Sequence, residues 1–155
     1  EKGSTFRLLF PVTHTSQKTV TEDHYSTRSN NGLKKETILI VDDESELAQV
    51  VSEILEIQGY KTVTRTNSLD ALKLFTSNPD NFSLLVTDQS MPSLTGTELA
   101  KKINAIKPEF PIILATGYSD TVDKKEAEAR GFGFLTKPLN ANDLQNLVTE
   151  KLKIS

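Results

Sequence analysis

From Thr37 onward the chain alternates between short continuous apolar runs and longer stretches in which apolar residues recur every third or fourth position. Ile38-Leu39-Ile40-Val41, Leu84-Leu85-Val86 and Ile112-Ile113-Leu114-Ala115 are rich in Ile, Leu and Val, as strands are when both faces of a parallel sheet are covered. Further strands are expected near Tyr60 to Arg65 and at about Phe132 to Thr136. A helix from about Ser45 to Gln58 sets Leu47, Val50, Val51, Ile54 and Leu55 on one stripe and meets Gly59, a residue suited to a left-handed cap. The next helix is opened by Ser68 and closes before Pro79. A third, about Gly96 to Ile106, carries Leu99, Ile103 and Ile106 and is stopped by Pro108. The stretch from about Asp120 to Arg130 offers only Val122, Ala127 and Ala129 as apolar anchors, so the helix expected there is the most loosely held. The last helix takes Asn140 as its cap and buries Leu144, Leu147, Val148 and Leu152. Regular alternation of strand and helix predicts an α/β fold with a parallel sheet.

Composition narrows the class. A chain of 155 residues with 36% hydrophobic content supports one domain with a proper core, and a second full domain would be crowded. The formal net charge of -3 and scattered Lys and Arg argue against nucleic acid as a partner. With no cysteine, disulfides, thiol catalysis and cysteine-based metal sites are excluded, and a cytoplasmic location is expected. No apolar run approaches the ~18 residues of a membrane span, so no membrane contact is expected of this chain. Positions 13 to 35 are dominated by polar and charged residues and contain Asn30-Asn31-Gly32, which marks a linker. His14 and His24 fall in that linker, where solvated side chains are expected.

Chemistry gathers at the strand ends. Asp42 and Asp43 follow the first strand, Asp88 ends the third, Thr116 the fourth, and Lys137 the fifth. In the doubly wound order 2-1-3-4-5, strands one and three flank the switch point where ligands bind, which would bring Asp42, Asp43 and Asp88 into one pocket. Two like charges ~4 Å apart repel by roughly 4 kcal/mol at an effective dielectric of 20. A counter-charge is therefore required, and oxygen ligands without His or Cys favour a hard ion: Mg2+, with Mn2+ able to substitute. Lys137 and Thr116 suit the oxygens of a phosphoryl group. A carboxylate can itself become an aspartyl phosphate, and Asp88, alone at its strand end, takes that role, leaving Asp42 and Asp43 as metal ligands, direct or through water. Any one of these aspartates is better read as a helix-terminus charge; the full set is not.

From Thr37 to its end the chain resembles the receiver domain of two-component response regulators. Val41-Asp42-Asp43 is similar to the acidic pair, Asp88-Gln89-Ser90-Met91-Pro92 to the phosphoacceptor and its Met-Pro loop, Ala115-Thr116-Gly117 to the switch threonine, and Lys137-Pro138 to the lysine motif. Phe134 falls at the aromatic switch position, without a tyrosine hydroxyl. The resemblance implies a flavodoxin-like doubly wound five-stranded sheet, order 2-1-3-4-5, with helices on both faces, and a cis Lys137-Pro138 bond. It implies a phosphohistidine donor, a histidine kinase phosphodonor domain, and Mg2+ held by Asp43, Asp88 and the backbone carbonyl of Ser90, beside Asp42. Ser90 and Tyr118 lie where the family tunes acyl phosphate hydrolysis. The domain would help catalyse its own phosphorylation and dephosphorylation. Thr116 and Phe134 would respond by altering the face made by the helix before the last strand, that strand and the last helix.

Gly3-Ser4-Thr5-Phe6-Arg7-Leu8-Leu9-Phe10-Pro11 resembles the final strand of a histidine-kinase ATP-binding domain. That implies a remnant of that domain at 1–12, a linker at 13–35 and a receiver at 36–155, the C-terminal receiver of a hybrid sensor histidine kinase whose parent can be membrane-anchored. No output domain is expected after the last helix, and the onward partner would be a histidine phosphotransfer protein. Phe6, Phe10, Phe75, Phe82, Phe110 and Phe132 are expected to be core or strand residues. Two rival readings stand beside this one. An aspartyl-nucleophile phosphatase would carry Asp-x-Asp after its first strand, whereas the acids here are adjacent. A phosphorylation-independent protein-binding module would keep the fold for its surface alone.

Overall fold

Along the first strand the side chains divide strictly, Ile38 and Ile40 joining one apolar cluster and Leu39 and Val41 the other, all at 2% exposure or less. A strand buried on both faces needs helices on both sides, and the computed structural model supplies them. It describes residues 36–117 and 129–153. The elements are β1 (Thr37–Val41), α1 (Ser45–Ile57), β2 (Lys61–Arg65), α2 (Ser68–Ser77), β3 (Leu84–Asp88), α3 (Gly96–Ile106), β4 (Ile112–Thr116), β5 (Gly133–Thr136) and α4 (Ala141–Lys153), with a 3-10 turn at Pro79–Asn81. All strand pairs are parallel and the order is β2-β1-β3-β4-β5, as expected. The helix expected over Asp120 to Arg130 lies mostly outside the described residues, as do the kinase-like segment and linker within 1–35 and Tyr118. Among the described residues no helix is long and apolar enough to cross a membrane.

One cluster packs α1 and α4 onto the sheet through Ala48, Val51, Leu55, Leu144 and Val148. The opposite cluster packs α2 and α3 through Ala71, Phe75, Leu99, Ala100 and Ile103, with Phe75 edge-on to Phe110 at 4.9 Å between ring centroids. Phe82, Phe110 and Phe132 are likewise buried. Burying each such side chain contributes about 1.5–3 kcal/mol.

Three local expectations need correction. The buried stripe of α1 is Ala48, Val51, Ser52 and Leu55, whereas Val50 is 51% exposed. Ile106, the last residue of α3, is also exposed, and the buried face of this helix is Gly96, Leu99, Ala100 and Ile103. Asn67, not Ser68, caps α2: its side chain accepts the Leu69 and Asp70 amides. Gly59 does adopt a left-handed φ of 92° after α1, and the Asn140 side chain accepts the Asn142 amide at the start of α4.

Candidate functional site

Val41 stands opposite Thr87 in the β1–β3 ladder, so the next residue of each strand, Asp42 and Asp88, emerges side by side at the carboxyl edge. Both are buried, while Asp43 is exposed at the mouth. One carboxylate oxygen from each of Asp42, Asp43 and Asp88 lies within 4.8 Å of the others. Lys137 follows β5 directly and spans the edge of β4 to reach them. Its Nζ is 2.6 Å from Asp88 Oδ1 and 3.2 Å from Asp42 Oδ2. The Lys137 amide donates to the Thr116 carbonyl at 2.9 Å, and the Lys137-Pro138 bond is cis, as the resemblance implies.

The remaining acceptor positions are also engaged. Asp42 Oδ1 accepts the Glu44 amide at 3.0 Å, and Asp88 Oδ2 accepts the Ser90 amide at 2.8 Å. Burial is the largest influence on Asp42 and pushes its carboxyl up; the Glu44 amide and Lys137 oppose this, the Asp88 charge adds to it, and the net direction is upward. For Lys137 burial pulls the ammonium down, but the hydrogen bond to Asp88 and the charges of Asp42 and Asp88 outweigh it and raise it. An ion pair would ordinarily lower its acid, so the upward shift of Asp42 runs against its contact with Lys137. Burial explains why: the cost of holding the Asp42 charge away from water exceeds what the Glu44 amide and Lys137 return.

Three acids against one lysine leave excess negative charge in a partly buried setting. The donors are all oxygen, with no nitrogen or sulfur ligand, so the set fits a hard divalent cation such as Mg2+, which Asp42, Asp43 and Asp88 would hold. Thr116 is buried at the end of β4, and its hydroxyl donates to the Leu135 carbonyl at 3.4 Å. Phe134 pairs with Leu114 across the β4–β5 ladder and is half-buried against the α2–α3 cluster. The structure therefore brings Asp42, Asp43, Asp88, Lys137 and the Ser90 amide to one place, with Thr116 one residue beyond the Asp88–Ala115 pair. A concavity of about 670 Å³ lies elsewhere, at the amino end of the sheet beside Glu36, Lys61 and Phe82. A cradle for a small, highly charged group need not be deep.

Sequence reasoning missed two residues that support the strand ending at Asp88. Gln89 is buried, and its Oε1 accepts both the Thr97 amide at 3.1 Å and the Thr97 hydroxyl at 2.8 Å, tying the start of α3 to the end of β3. Gly96 donates its amide to the Gln89 carbonyl at 3.1 Å and lies against the Asp88 backbone so closely that a Cβ there would overlap the Asp88 carbonyl. The only local signal was the Thr95–Glu98 capping box, which the structure contains in full.

Residues 38–149 match the response regulator receiver domain family. The response regulator receiver protein CpdR of Brucella abortus is 31% identical over 116 residues, covering 74% of this chain and 95% of CpdR. The transcriptional regulatory protein GlrR of Escherichia coli K12 is 29% identical over 119 residues, 76% of this chain but 26% of GlrR, so this chain spans about a quarter of that relative. Among solved structures, a response regulator receiver domain protein from Clostridium thermocellum superposes with a TM-score of 0.72 at 32% identity, covering 76% of this chain and 94% of the other. The receiver domain of the hybrid histidine kinase CckA gives a TM-score of 0.63 at 26% identity, covering 75% and 98% respectively. A family match over that span, on a five-stranded sheet of order 2-1-3-4-5, makes this chain a member of the response regulator receiver domain family, the phosphoacceptor modules of two-component signalling.

Proposed function

We propose that Asp88 is the phosphoacceptor and that Asp42, Asp43, Asp88 and the backbone carbonyl of Ser90 hold a divalent cation beside it, Mg2+ with Mn2+ as a substitute. The observation that carries this reading is the contact of Lys137 Nζ with Asp88 Oδ1 at 2.6 Å, inside a group of three carboxylates that lie within 4.8 Å of one another. A carboxylate oxygen of Asp88 attacks phosphorus in line while the P–N bond to a partner's histidine breaks and the imidazole keeps the electron pair. Lys137, whose side chain retains 22% exposure, turns from the carboxylates to the phosphoryl oxygens and offsets their charge. The bound cation supplies further positive charge to those oxygens. Water later cleaves the acyl phosphate, returning the carboxylate and inorganic phosphate.

The Thr116 hydroxyl then exchanges the Leu135 carbonyl for a phosphoryl oxygen, and Phe134 turns inward into the space it leaves. Support comes from their placement: Thr116 ends β4 next to the Asp88 register position, and Phe134 sits on the adjacent strand. The face of β5 and α4 changes population in response and serves partners. Receiver domains accept phosphoryl groups from histidine kinases or phosphotransfer proteins, and the donor here is read as a histidine kinase domain with a histidine phosphotransfer protein as the onward acceptor. The hybrid-kinase setting draws support from the kinase-like segment Gly3 to Pro11 and from the likeness to the CckA receiver.

Incubation of the chain with acetyl phosphate and Mg2+ tests the reading. A hydroxylamine-labile mass gain that vanishes in Asp88→Asn is expected. A gain that persists in Asp88→Asn would reject Asp88 as acceptor.

A further inference from the structure

The loop between β3 and α3 contains a three-residue turn in which the Leu94 amide donates to the Pro92 carbonyl at 3.0 Å around Ser93, whose φ is 73°. A turn closed this tightly, with a non-glycine residue at positive φ in its centre, is rare and strained, and persists only when its surroundings hold it. The same carbonyl and the same amide both meet one side chain from another element. The Ser68 hydroxyl, at the first position of α2, donates to the Pro92 carbonyl at 3.1 Å and accepts the Leu94 amide at 3.1 Å. It thereby bridges both ends of the turn. Ser68 is 1% exposed, so little water reaches it to replace these bonds. Asn67 caps α2, which leaves the Ser68 hydroxyl free of duty to its own helix.

This loop begins at the phosphoacceptor. At its near end the Ser90 amide donates to Asp88 Oδ2 at 2.8 Å, and at its far end Gly96 is seated against the Asp88 backbone. Between those anchors the path of the chain depends on the turn, and the turn depends on Ser68.

We propose that Ser68 is a positioning residue for the phosphoacceptor site, its hydroxyl clamping both ends of the strained Pro92–Leu94 turn and so fixing where the loop presents the Ser90 carbonyl to the carboxylate group. The proposal rests on the reading that a divalent cation binds at Asp42, Asp43 and Asp88. The clamp on the turn can nevertheless be read without any cation.

The test compares the full chain with Ser68→Ala and Asn67→Ala, two substitutions at the same helix end of which only the first removes the clamp. Without Mg2+, amide hydrogen exchange at Leu94 is expected to accelerate about tenfold or more in Ser68→Ala and to stay near the parent rate in Asn67→Ala. In a Mg2+ titration followed by backbone amide shifts, half-saturation is expected to rise about tenfold in Ser68→Ala, the low end for a group supporting a metal ligand, and to hold in Asn67→Ala. Circular dichroism establishes that each variant is folded. If Ser68→Ala is not, Ser68→Cys, which keeps the size but donates weakly, takes its place with the same expectations. Parent-like Mg2+ binding in the Ser68 variant, or equal changes in both variants, overturns the clamp alone. Failure of the parent chain to bind Mg2+ overturns the cation reading and the proposal with it.

Discussion

Lys137 Nζ touches Asp88 Oδ1 at 2.6 Å and Asp42 Oδ2 at 3.2 Å, so a single ammonium is shared by two carboxylates that end adjacent strands. The arrangement gives Lys137 two opposed effects. It offsets charge on the acids when they stand alone, and it occupies oxygens that a cation would otherwise use.

Lys137→Met separates these effects. Acetyl phosphate labelling of Asp88 is expected to slow by about 100-fold, the usual cost of deleting one group that stabilises developing charge. Mg2+ affinity, measured by titration on the same protein, is expected to hold or improve. Weaker Mg2+ binding in this variant would mean that the lysine mainly organises the acids.

Asp42 gives a pH signature. Burial raises its carboxyl above the ordinary carboxylate range, and a group raised in the folded state contributes stability that is fully present below its unfolded value and lost as pH rises through the folded one. At neutral pH the ionised Asp42 therefore weakens the cation-free fold. Asp42→Asn is expected to raise the thermal midpoint at about pH 7 without Mg2+, with the gain shrinking as pH falls through the raised folded value and gone below about pH 4. Melts of both proteins across that range check it, and a midpoint lowered at neutral pH would show that the Lys137 contact outweighs burial.

Gly96→Ala tests the seat of β3 at Asp88. The added Cβ would overlap the Asp88 carbonyl and lie 3.0 Å from the Asp88 carbonyl carbon and 3.1 Å from Gln89 Cα, all backbone atoms that cannot rotate away. A loss of about 3 kcal/mol in urea unfolding is expected, at the upper end for overpacking a tight site. A change under about 0.5 kcal/mol, ordinary for a surface substitution, would show that α3 can shift without cost.

What could be read from sequence was whatever repeats locally. Ile38 to Val41 and Ile112 to Ala115 are apolar at every position because both faces of their strands are covered, and that pattern needs no knowledge of neighbours. The acids and lysine were legible for a related reason, since each follows the end of such a run. Contacts made across elements left no such trace. Val50 and Val51 are identical in chemistry, yet one is exposed and the other buried, because the packed face of α1 runs through Ala48, Val51, Ser52 and Leu55 and includes two small residues that an apolar stripe does not pick out. Ser68 reads as a helix cap by residue type, and only the folded chain shows Asn67 in that role and Ser68 bridging a turn. Gln89 and Gly96 likewise acquire meaning only when α3 docks on β3.

The most direct test of the central claim, that positions 42, 43, 88 and 137 form one metal-dependent cradle for a transferred phosphoryl group, is fluorine NMR of the chain with beryllofluoride. Bound resonances are predicted in the presence of Mg2+ and are predicted to disappear on chelation or in Asp88→Asn. Bound resonances that survive in Asp88→Asn, or that form equally well without any divalent cation, would contradict it.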